Sequence, residues 1–260
     1  MFHSSLVSLQ TQLSKILKNK TVERIYLPSF LFSEKNVIVV IGQDGLVANT
    51  AKYSAGCPII AVNPDKARYD GILLPFDTSN FITGVEQVMD HSFPSRTMRF
   101  AEAKLNDGQR LLAFNDLFIG ASSHISARYK ISFEDKKEEH SSSGLIVSTP
   151  AGSTGWLSSV FNMAYGVAGV FEKNLVPKQP QIDDDELLFA VREPFLSKRT
   201  QTGINAGLIQ HNQHLTIESL MPTSGIIFSD GIEADFLKFN SGAIATIGLA
   251  PESAILVTKV

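Results

Sequence analysis

The sequence predicts two domains, an α/β domain at residues 1–95 with a parallel, Rossmann-like sheet and a β-rich, β-sandwich-like domain at residues 96–260. The first prediction rests on apolar strands that alternate with helical segments up to about residue 95. The second rests on short strands with period-two alternation, separated by turn residues, over most of the remaining chain. We expect that the last strand can pack back on the first domain.

The elements of the first domain follow from hydrophobic spacing. Apolar residues recur every three or four positions from Leu6 to Leu17, which predicts an amphipathic helix over 4–19. Continuous apolar runs predict buried strands, and helical segments lie between them. In order, we expect a short strand at 22–27, strands at 36–42 and 57–64, a helix at 47–55, and a helix at 78–92 with Thr78 or Ser79 as its N-cap.

A helical segment interrupts the strands of the second domain. Residues 153–172 have the length of a helix and include small residues that allow close packing. A charged, serine-rich stretch at 135–144 predicts a loop between strands. We therefore expect an antiparallel assembly of strands into which one helix is inserted.

Composition and charge narrow the classes of partner. A net charge of −3, without a long Lys/Arg block, gives no electrostatic basis for binding nucleic acid. No apolar run approaches the roughly 20 residues that span a bilayer, and the N-terminal segment lacks the features of a signal peptide. Cys57 is the one cysteine, which fits a reducing compartment. The sequence predicts a cytoplasmic protein that binds small molecules, with no nucleic-acid and no membrane partner.

A glycine-rich turn follows the strand at 36–42. It reads Gly42-Gln43-Asp44-Gly45 and leads into a helical segment. A strand, a tight turn and a helix start place backbone N–H groups where phosphates bind. Asp44 is then either a helix cap or a general base, and a purely structural turn remains open at this point.

Polar residues also follow or interrupt two other predicted strands. Asn63-Pro64-Asp65 lies at the exit of the next strand, where ligands of open α/β sheets bind, although this motif taken alone favours a plain Asn-Pro turn. Asn115 and Asp116 interrupt an apolar stretch, which is costly unless both are satisfied. An asparagine suits the edge of adenine and an aspartate suits a ribose diol. A turn or bulge is the alternative.

The segment Ser148–Trp156, with the sequence STPAGSTGW, ends a strand and opens the predicted helix. Ser153 or Thr154 is the expected N-cap of that helix. The hydroxyls and amides of this segment could equally hold an anionic or nucleotide ligand. It is not a Walker A loop, because no lysine follows the glycine.

These four segments, in this order over about 110 residues, resemble the motifs of the NAD kinase family, in particular the branch that includes the mitochondrial NAD kinases. The resemblance extends through KKEEHSSSGL, LLFAVREPF and FSDGIEADFLKFNSGAIAT, and so covers most of the chain from about residue 36 to 250. It implies an NAD kinase-like fold with two domains. It also implies transfer of a phosphoryl group from ATP to the 2′-hydroxyl of the adenosine ribose of NAD, with Mg²⁺ or Mn²⁺.

The resemblance implies roles for particular residues. Asp44 would orient or deprotonate the ribose hydroxyl, and Asn115 and Asp116 would hold the adenine and the ribose. The remaining candidates are Gly42 and Gly45 at the phosphates, Asn63 at the crevice, Ala151, Ser153 and Thr154 in the dinucleotide pocket, Asp230 in an Asp-Gly turn, and Arg192 near phosphate or in an ion pair. Family members are generally dimers or tetramers, so the resemblance also implies a homo-oligomer.

Three departures from the family pattern keep alternatives open. Gln43 stands where the family has glycine, Leu46 stands where it has threonine, and no strand is predicted before the first helix. If position 43 required a positive φ, glutamine would strain the turn by about 1–2 kcal/mol. One alternative is a dinucleotide-binding or regulatory protein with impaired catalysis. Another is a kinase of the same fold that acts on a sugar or lipid hydroxyl.

Overall fold

The computed structural model describes residues 2–69, 71–172, 176–178 and 181–259. The chain divides into two compact units, the first formed by Met1–Met98 with Glu252–Val260 and the second by Arg99–Pro251. The first unit combines helices with a parallel sheet, and the second is rich in antiparallel strands. The predicted fold class is therefore confirmed.

The first unit contains three α-helices and a short 3-10 helix among its described residues. Its strands are short, and one of them comes from the C-terminal end of the chain. The elements are α1 (Phe2–Leu13), a 3-10 helix (Arg24–Ser29), β1 (Ile38–Ile41), α2 (Asp44–Ala51), β2 (Pro58–Asn63), β3 (Phe76–Asp77), α3 (Phe81–Met89), the start of β4 (Ser95–Leu105) and the end of β15 (Ile244–Val257).

Strand β2 is the centre of the first unit. It pairs in parallel with β1, with β3 and with the end of β15. Its residues from Ile59 to Val62 are almost fully buried, as expected for a parallel strand that is covered on both faces. Helices α1 and α3 supply apolar side chains to the same core, which includes Leu9, Phe81 and Val85.

The parallel pairing of β1 and β2 brings two polar motifs to one edge of this sheet. Ile41 lies opposite Val62, so both strands end at the same level. The residues that follow are Gly42–Gly45 after β1 and Asn63 at the end of β2. The carboxyl ends of parallel strands are where open α/β sheets bind ligands.

The second unit is built from two sheets whose inner faces share one core. Tyr129, Phe189 and Phe239 are among its fully buried aromatic side chains. One sheet contains the rest of β4 and β15 with β5 (Arg110–Ala113), β7 (Ala127–Phe133), β8 (Lys136–Ser142) and β12 (Leu215–Ser219). The other has the order β11 (Ala206–Gln210), β10 (Glu186–Val191), β9 (Leu145–Ser148), β6 (Asp116–Ala121), β13 (Gly225–Ser229) and β14 (Ile232–Lys238).

The register of the second sheet brings three segments together at one edge. Strand β6 lies between β9 and β13, with Asp116 opposite Ser148 and Leu117 opposite Ser229. Because β6 begins where its two antiparallel neighbours end, Asn115-Asp116, the turn after Ser148 and Asp230 all lie at this edge. Helix α4 (Trp156–Ala168) follows that turn.

Some predicted elements are wrong in type or extent. Residues 24–29 form a 3-10 helix instead of a strand, because Pro28 has no N–H for a strand ladder. Most of 135–144, predicted as a loop, is strand β8. The N-cap of α3 is Asn80 and that of α4 is Gly155, so the predicted caps Thr78, Ser79, Ser153 and Thr154 are wrong. Among the described residues, no helix has both the length and the apolar character needed to cross a membrane.

Substitution by alanine should have opposite effects on the free energy of unfolding at Gly225 and at Gly166. A Cβ at Gly225 would overlap the carbonyl of Phe239, whereas a Cβ at Gly166 in α4 would meet nothing within 4 Å. We expect Gly225→Ala to lower the free energy of unfolding by about 3 kcal/mol. Gly166→Ala should raise it by about 0.5–1 kcal/mol, because alanine favours a helix. Urea unfolding of both variants measures this, and equal effects would contradict the packing at Gly225.

Candidate active site

Asp44 is fixed at the first turn of α2 in the first unit. Its Oδ1 accepts a hydrogen bond from the Leu73 amide at 2.6 Å, which ties the residue to the segment before β3. Among the described residues, Oδ2 of Asp44 has no hydrogen-bond partner. The carboxylate is therefore held by one oxygen and keeps the other available to a ligand.

One backbone amide of the glycine turn, that of Gly42, already has an acceptor within the protein. The Gly42 amide donates to Val62 O at 3.3 Å, so this N–H is not available to a phosphate. A Cβ at Gly42 would lie 2.8 Å from Leu46 Cδ2, so a larger residue there would require the Leu46 side chain to shift. Gly45 is exposed and has open space around it. The Leu46 amide donates to Gln43 O at 2.9 Å, so the donors that α2 leaves open at its start, among the described residues, are the amides of Asp44 and Gly45.

Gln43 does not strain this turn. Its φ is −90° and its ψ is 165°, which is ordinary extended backbone. The position therefore does not require glycine, and glutamine causes no loss of stability through φ. The side chain makes no capping hydrogen bond and is exposed, beside Asp44.

Asn63 organises the segment between β2 and β3. Its Nδ2 donates to Tyr69 O at 3.1 Å and its Oδ1 accepts from the Asp65 amide at 2.9 Å. A Cβ at Gly71, whose φ is +65°, would lie 2.5 Å from Nδ2. The amide of Asn63 is thus used to shape the turn that also reaches Asp44 through Leu73.

In the second unit, Asp230 holds the backbone that leads into β6. Its carboxylate accepts from the amides of Phe114 (3.1 Å), Asn115 (2.6 Å) and Asp116 (3.3 Å). The Asp230 amide in turn donates to Asp116 O at 3.0 Å. Asp230 and Gly231 both have positive φ, of 54° and 67°, which suits an Asp-Gly turn between β13 and β14. This carboxylate fixes the positions of Asn115 and Asp116.

The turn after β9 holds the same backbone from the other side. The Thr149 hydroxyl donates to Phe114 O at 2.6 Å, and its amide donates to Asn115 O at 2.9 Å. A Cβ at Gly152 would overlap the Asn115 carbonyl, so this position accepts only glycine. Asn115 and Asp116 are therefore clamped between two turns.

The side chains of Asn115 and Asp116 are not used by this clamp. Among the described residues, neither side chain makes a hydrogen bond, although Asp116 is only 7% exposed. The Asp116 oxygens are not among the fully buried side-chain atoms that lack a partner, so they stay within reach of water or a ligand. The pair therefore presents a donor, an acceptor and a carboxylate that only water or a ligand can satisfy.

Burial makes the Asp116 carboxyl easy to protonate. Loss of solvation, followed by the nearby negative charge of Asp230, raises the pKa of Asp116 to about 7. A carboxyl that titrates near neutrality and lacks a protein partner is typical of a functional site.

The other predicted residues lie in the turn between Ser148 and α4. Ala151 and Ser153 are half-buried, and Thr154 is exposed. The Ser153 hydroxyl donates to Pro150 O at 2.7 Å, so it can only accept a hydrogen bond from a ligand. The structure brings these residues together with Asn115 and Asp116, and brings Gly42, Asp44, Gly45 and Asn63 together in the first unit.

Sequence reasoning missed the residues that position this site. The sequence indicates Asp230 only as part of an Asp-Gly turn, and it gives Thr149 and Gly152 no role of their own within the segment Ser148–Trp156. The hydrogen bonds of Asp230 join residues more than 100 positions apart, so no local pattern indicates them. The signal available was the Asp-Gly pair, which favours the left-handed backbone observed at both residues.

The described residues do not contain a cluster of side chains that could bind a metal. Within the described ranges, no three His, Cys, Asp or Glu side chains are grouped so that they could hold an ion.

Comparison of the sequence with known proteins finds NAD kinases. The chain is 30% identical to the NAD kinase of Heliobacterium modesticaldum over 129 residues, which cover 46% of this chain and 44% of that protein. It is 30% identical to the NAD kinase of Prosthecochloris aestuarii over 155 residues, which cover 55% of this chain and 53% of that protein. The matches thus span about half the length of these curated relatives. No protein-family model matches the chain.

Comparison with solved structures finds the same fold. A yeast NADH kinase complexed with NADH superposes with a TM-score of 0.63 at 17% identity, over 86% of this chain and 62% of that one. An NAD kinase from Archaeoglobus fulgidus in complex with ATP gives a TM-score of 0.60 at 18% identity, over 89% and 79%. The predicted resemblance to NAD kinases is confirmed, whereas the assignment to their mitochondrial branch stays a prediction. The chain is thus similar in sequence to NAD kinases over about half of its length and shares their fold.

Proposed function

We propose that the chain is an NAD kinase, which transfers a phosphoryl group from ATP to the 2′-hydroxyl of the adenosine ribose of NAD and so makes NADP. The observation that carries this proposal is the buried Asp116 carboxylate, which lacks a hydrogen-bond donor among the described residues, beside the unpaired amide of Asn115. The solved NADH kinase and NAD kinase hold NADH and ATP respectively, which supports the same ligands here.

Asn115 and Asp116 have the chemistry needed to recognise an adenosine. An asparagine amide offers a donor and an acceptor to the edge of the adenine ring, and a carboxylate accepts from both hydroxyls of a ribose. Hydrogen bonds to an ionised group are about twice as strong as neutral ones. A bound ribose would therefore donate hydrogen bonds to a carboxylate that accepts none from the described residues of the free protein.

Asp44 is the proposed catalytic residue. Phosphoryl transfer needs an aligned hydroxyl, neutralised phosphates and a group near the proton that leaves the attacking oxygen. The bond from Leu73 fixes one carboxylate oxygen of Asp44, and the open oxygen would orient or deprotonate the 2′-hydroxyl. The N–H groups beside Gly45, at the start of α2, would face phosphate oxygens.

Mg²⁺ or Mn²⁺ would be brought by ATP, whose phosphate charge it neutralises. Asn63, Ala151, Ser153 and Thr154 would shape or line the dinucleotide site, and Ser153 would accept a hydrogen bond. Gly42 would contribute to the site by leaving room for the Leu46 side chain, and not by contacting phosphate.

We also propose a cytoplasmic homodimer or homotetramer. Helix α4 supports self-association because Leu157 is the only buried residue among its thirteen, although the helix is largely apolar. Met163, Val167 and the following Val170 and Phe171 are all exposed. A buried, free thiol at Cys57 is consistent with a reducing compartment.

Turnover of NAD tests the proposed function directly. The protein, incubated with ATP, Mg²⁺ or Mn²⁺ and either NAD or NADH, should form NADP or NADPH, measured by a coupled NADP-specific assay. Asp44→Asn should lower kcat by about 10²-fold or more, and Asp116→Asn should raise KM for NAD by about 10- to 100-fold. The exposed Asp135→Asn is the matched control and should change neither.

The other outcomes of this assay are distinct. Binding of NAD without turnover, seen by calorimetry, would replace the kinase with a dinucleotide-binding protein. If NAD is neither bound nor turned over, Asn115 and Asp116 do not recognise adenosine. That result would point to a sugar or lipid acceptor.

The raised pKa of Asp116 predicts how stability depends on pH. The folded protein keeps this proton up to about pH 7, whereas the unfolded chain loses it near pH 4, so wild-type stability falls as pH rises between these values. Asp116→Asn removes this loss. From pH 5 to pH 8, the difference in unfolding free energy between the variant and the wild type should therefore change by about 2 kcal/mol in favour of the variant. Urea unfolding at both values measures it, and a pH-independent difference would contradict the assignment.

A further inference from the structure

The connection between α1 and β1 differs in charge from the rest of the molecule. Residues 15–35, which we call the basic segment, carry five cations against two carboxylates, a formal charge of +3. The whole chain carries −3, so the residues outside the segment carry −6. All seven charged side chains of the segment are exposed: Lys15, Lys18, Lys20, Glu23, Arg24, Glu34 and Lys35. A positive region on an otherwise acidic protein attracts anionic partners.

The basic segment also exposes large apolar side chains. Leu31 is 93% exposed, Ile25 76% and Tyr26 60%. Apolar residues that are exposed singly are ordinary on a protein surface. Here they lie close together in one short connection with a surplus of cations, which is the composition of segments that bind at a membrane interface. The combination suits a partner that is both anionic and apolar.

Contacts near both ends and in the middle anchor the backbone of the basic segment. Gln10 in α1 donates through Nε2 to the Thr21 hydroxyl at 2.7 Å, and the Cys57 thiol donates to Ser33 O at 3.2 Å. Between them, Leu27 of the 3-10 helix is buried. Because the backbone that presents the exposed side chains is already ordered, binding through them would cost little conformational entropy.

The cations of the basic segment are available to an external anion. Within the described part of the chain, none of the five forms an ion pair with a carboxylate. The Nζ of Lys20 lies 5.3 Å from the centre of the Phe30 ring, which packs edge-on against Phe32 at 4.7 Å. One lysine is thus held directly beside the apolar part of the segment. Each basic side chain near an anionic bilayer strengthens binding about five-fold.

A lipid surface accommodates this arrangement better than the other anionic partners do. Nucleic acids are bound through cations and stacked aromatic rings, so aliphatic side chains such as Ile25 and Leu31 would gain little from them. An acidic protein would need a surface shaped to fit side chains that point in different directions, as Ile25 and Tyr26 do in a helix with three residues per turn. A fluid bilayer interface can surround both.

We propose that the basic segment binds the surface of an anionic lipid bilayer, with Ile25, Tyr26 and Leu31 at the boundary of the acyl chains and the cations beside the lipid phosphates. Such a contact is peripheral and does not require an apolar run of spanning length. The sequence prediction of no membrane partner rests on the lack of such a run, so it does not bear on this contact. The segment contains none of the residues proposed to bind nucleotides, so the proposal does not rest on the proposed kinase activity.

Co-sedimentation of the whole chain with phospholipid vesicles tests this proposal. Vesicles of phosphatidylcholine and phosphatidylglycerol in equal parts should bind the protein saturably, and vesicles of phosphatidylcholine alone should bind it about ten-fold or more weakly. Raising the NaCl concentration from about 0.1 M to about 1 M shortens the Debye length from about 10 Å to about 3 Å and should weaken binding to the anionic vesicles about ten-fold or more.

The apolar contribution is tested with Ile25→Ser combined with Leu31→Ser. Loss of apolar surface from the interface should weaken binding to the anionic vesicles about ten-fold or more. Both side chains are exposed, so the fold should be retained, which circular dichroism and the melting temperature verify. Phe195→Ser combined with Leu196→Ser is the matched control, because these side chains are 64% and 68% exposed in the second unit. It should leave vesicle binding unchanged.

The electrostatic contribution is tested with Lys18→Gln combined with Arg24→Gln. Removal of two cations that contribute about five-fold each should weaken binding to the anionic vesicles about 25-fold. Lys136→Gln combined with Lys198→Gln removes two exposed lysines of the second unit and should leave binding unchanged. This pair of variants keeps the test decisive if the serine variants alter folding.

Several results would overturn the proposal. They are no saturable binding to the anionic vesicles, equal binding to both kinds of vesicle, binding that is unchanged in the variants of the basic segment, and an equal loss of binding in the control variants. Soluble poly-glutamate provides one further comparison. If it binds as tightly as the anionic vesicles, and if the serine variants leave vesicle binding unchanged, the partner is an acidic protein instead of a bilayer.

Discussion

The carboxylate of Asp230, which accepts hydrogen bonds from three consecutive amides, is the interaction on which the candidate site depends. It fixes the backbone of residues 114–116 from one side, while Thr149 and Gly152 fix it from the other. Its negative charge also helps to keep the neighbouring Asp116 protonated near neutral pH. Asp230 thus sets the geometry of the residue proposed to bind the ribose and adds to the rise in its pKa, of which loss of solvation is the larger cause.

In the first unit, too, one polar side chain fixes the backbone and another keeps an atom open to a ligand. Asn63 shapes the segment between β2 and β3 through two hydrogen bonds, and that segment holds one oxygen of Asp44 through the Leu73 amide. The other oxygen is left for a ligand. The polar side chains that the sequence indicates as candidate ligands therefore fall into two groups. Asn63 and Asp230 hold the backbone of the site, whereas Asp44 and Asp116 keep carboxylate oxygens open to a ligand.

The sequence correctly predicted the helices and strands that follow from the local spacing of apolar and polar residues. Alternating helices and strands, the buried strand β2, and the placement of Asp44 and Asn63 at the ends of neighbouring strands all follow from residue pattern. It did not predict the 3-10 helix at 24–29, strand β8, or the cap at Gly155, where tertiary packing outweighs local propensity. It also missed the clamp, because Asp230 and Gly152 act on residues far away along the chain. The relaxed φ of Gln43 was likewise beyond a sequence argument.

The titration of Asp116 itself tests the central claim most directly. Carbon-13 NMR of the aspartate carboxyls, with Asp116→Asn for assignment, gives the pKa of this group with and without bound NAD. The account predicts a pKa near 7 in the free protein and a clear decrease when NAD is bound, because ribose hydroxyls stabilise the ionised form. A pKa near 4 in the free protein, or a value that NAD leaves unchanged, would contradict it.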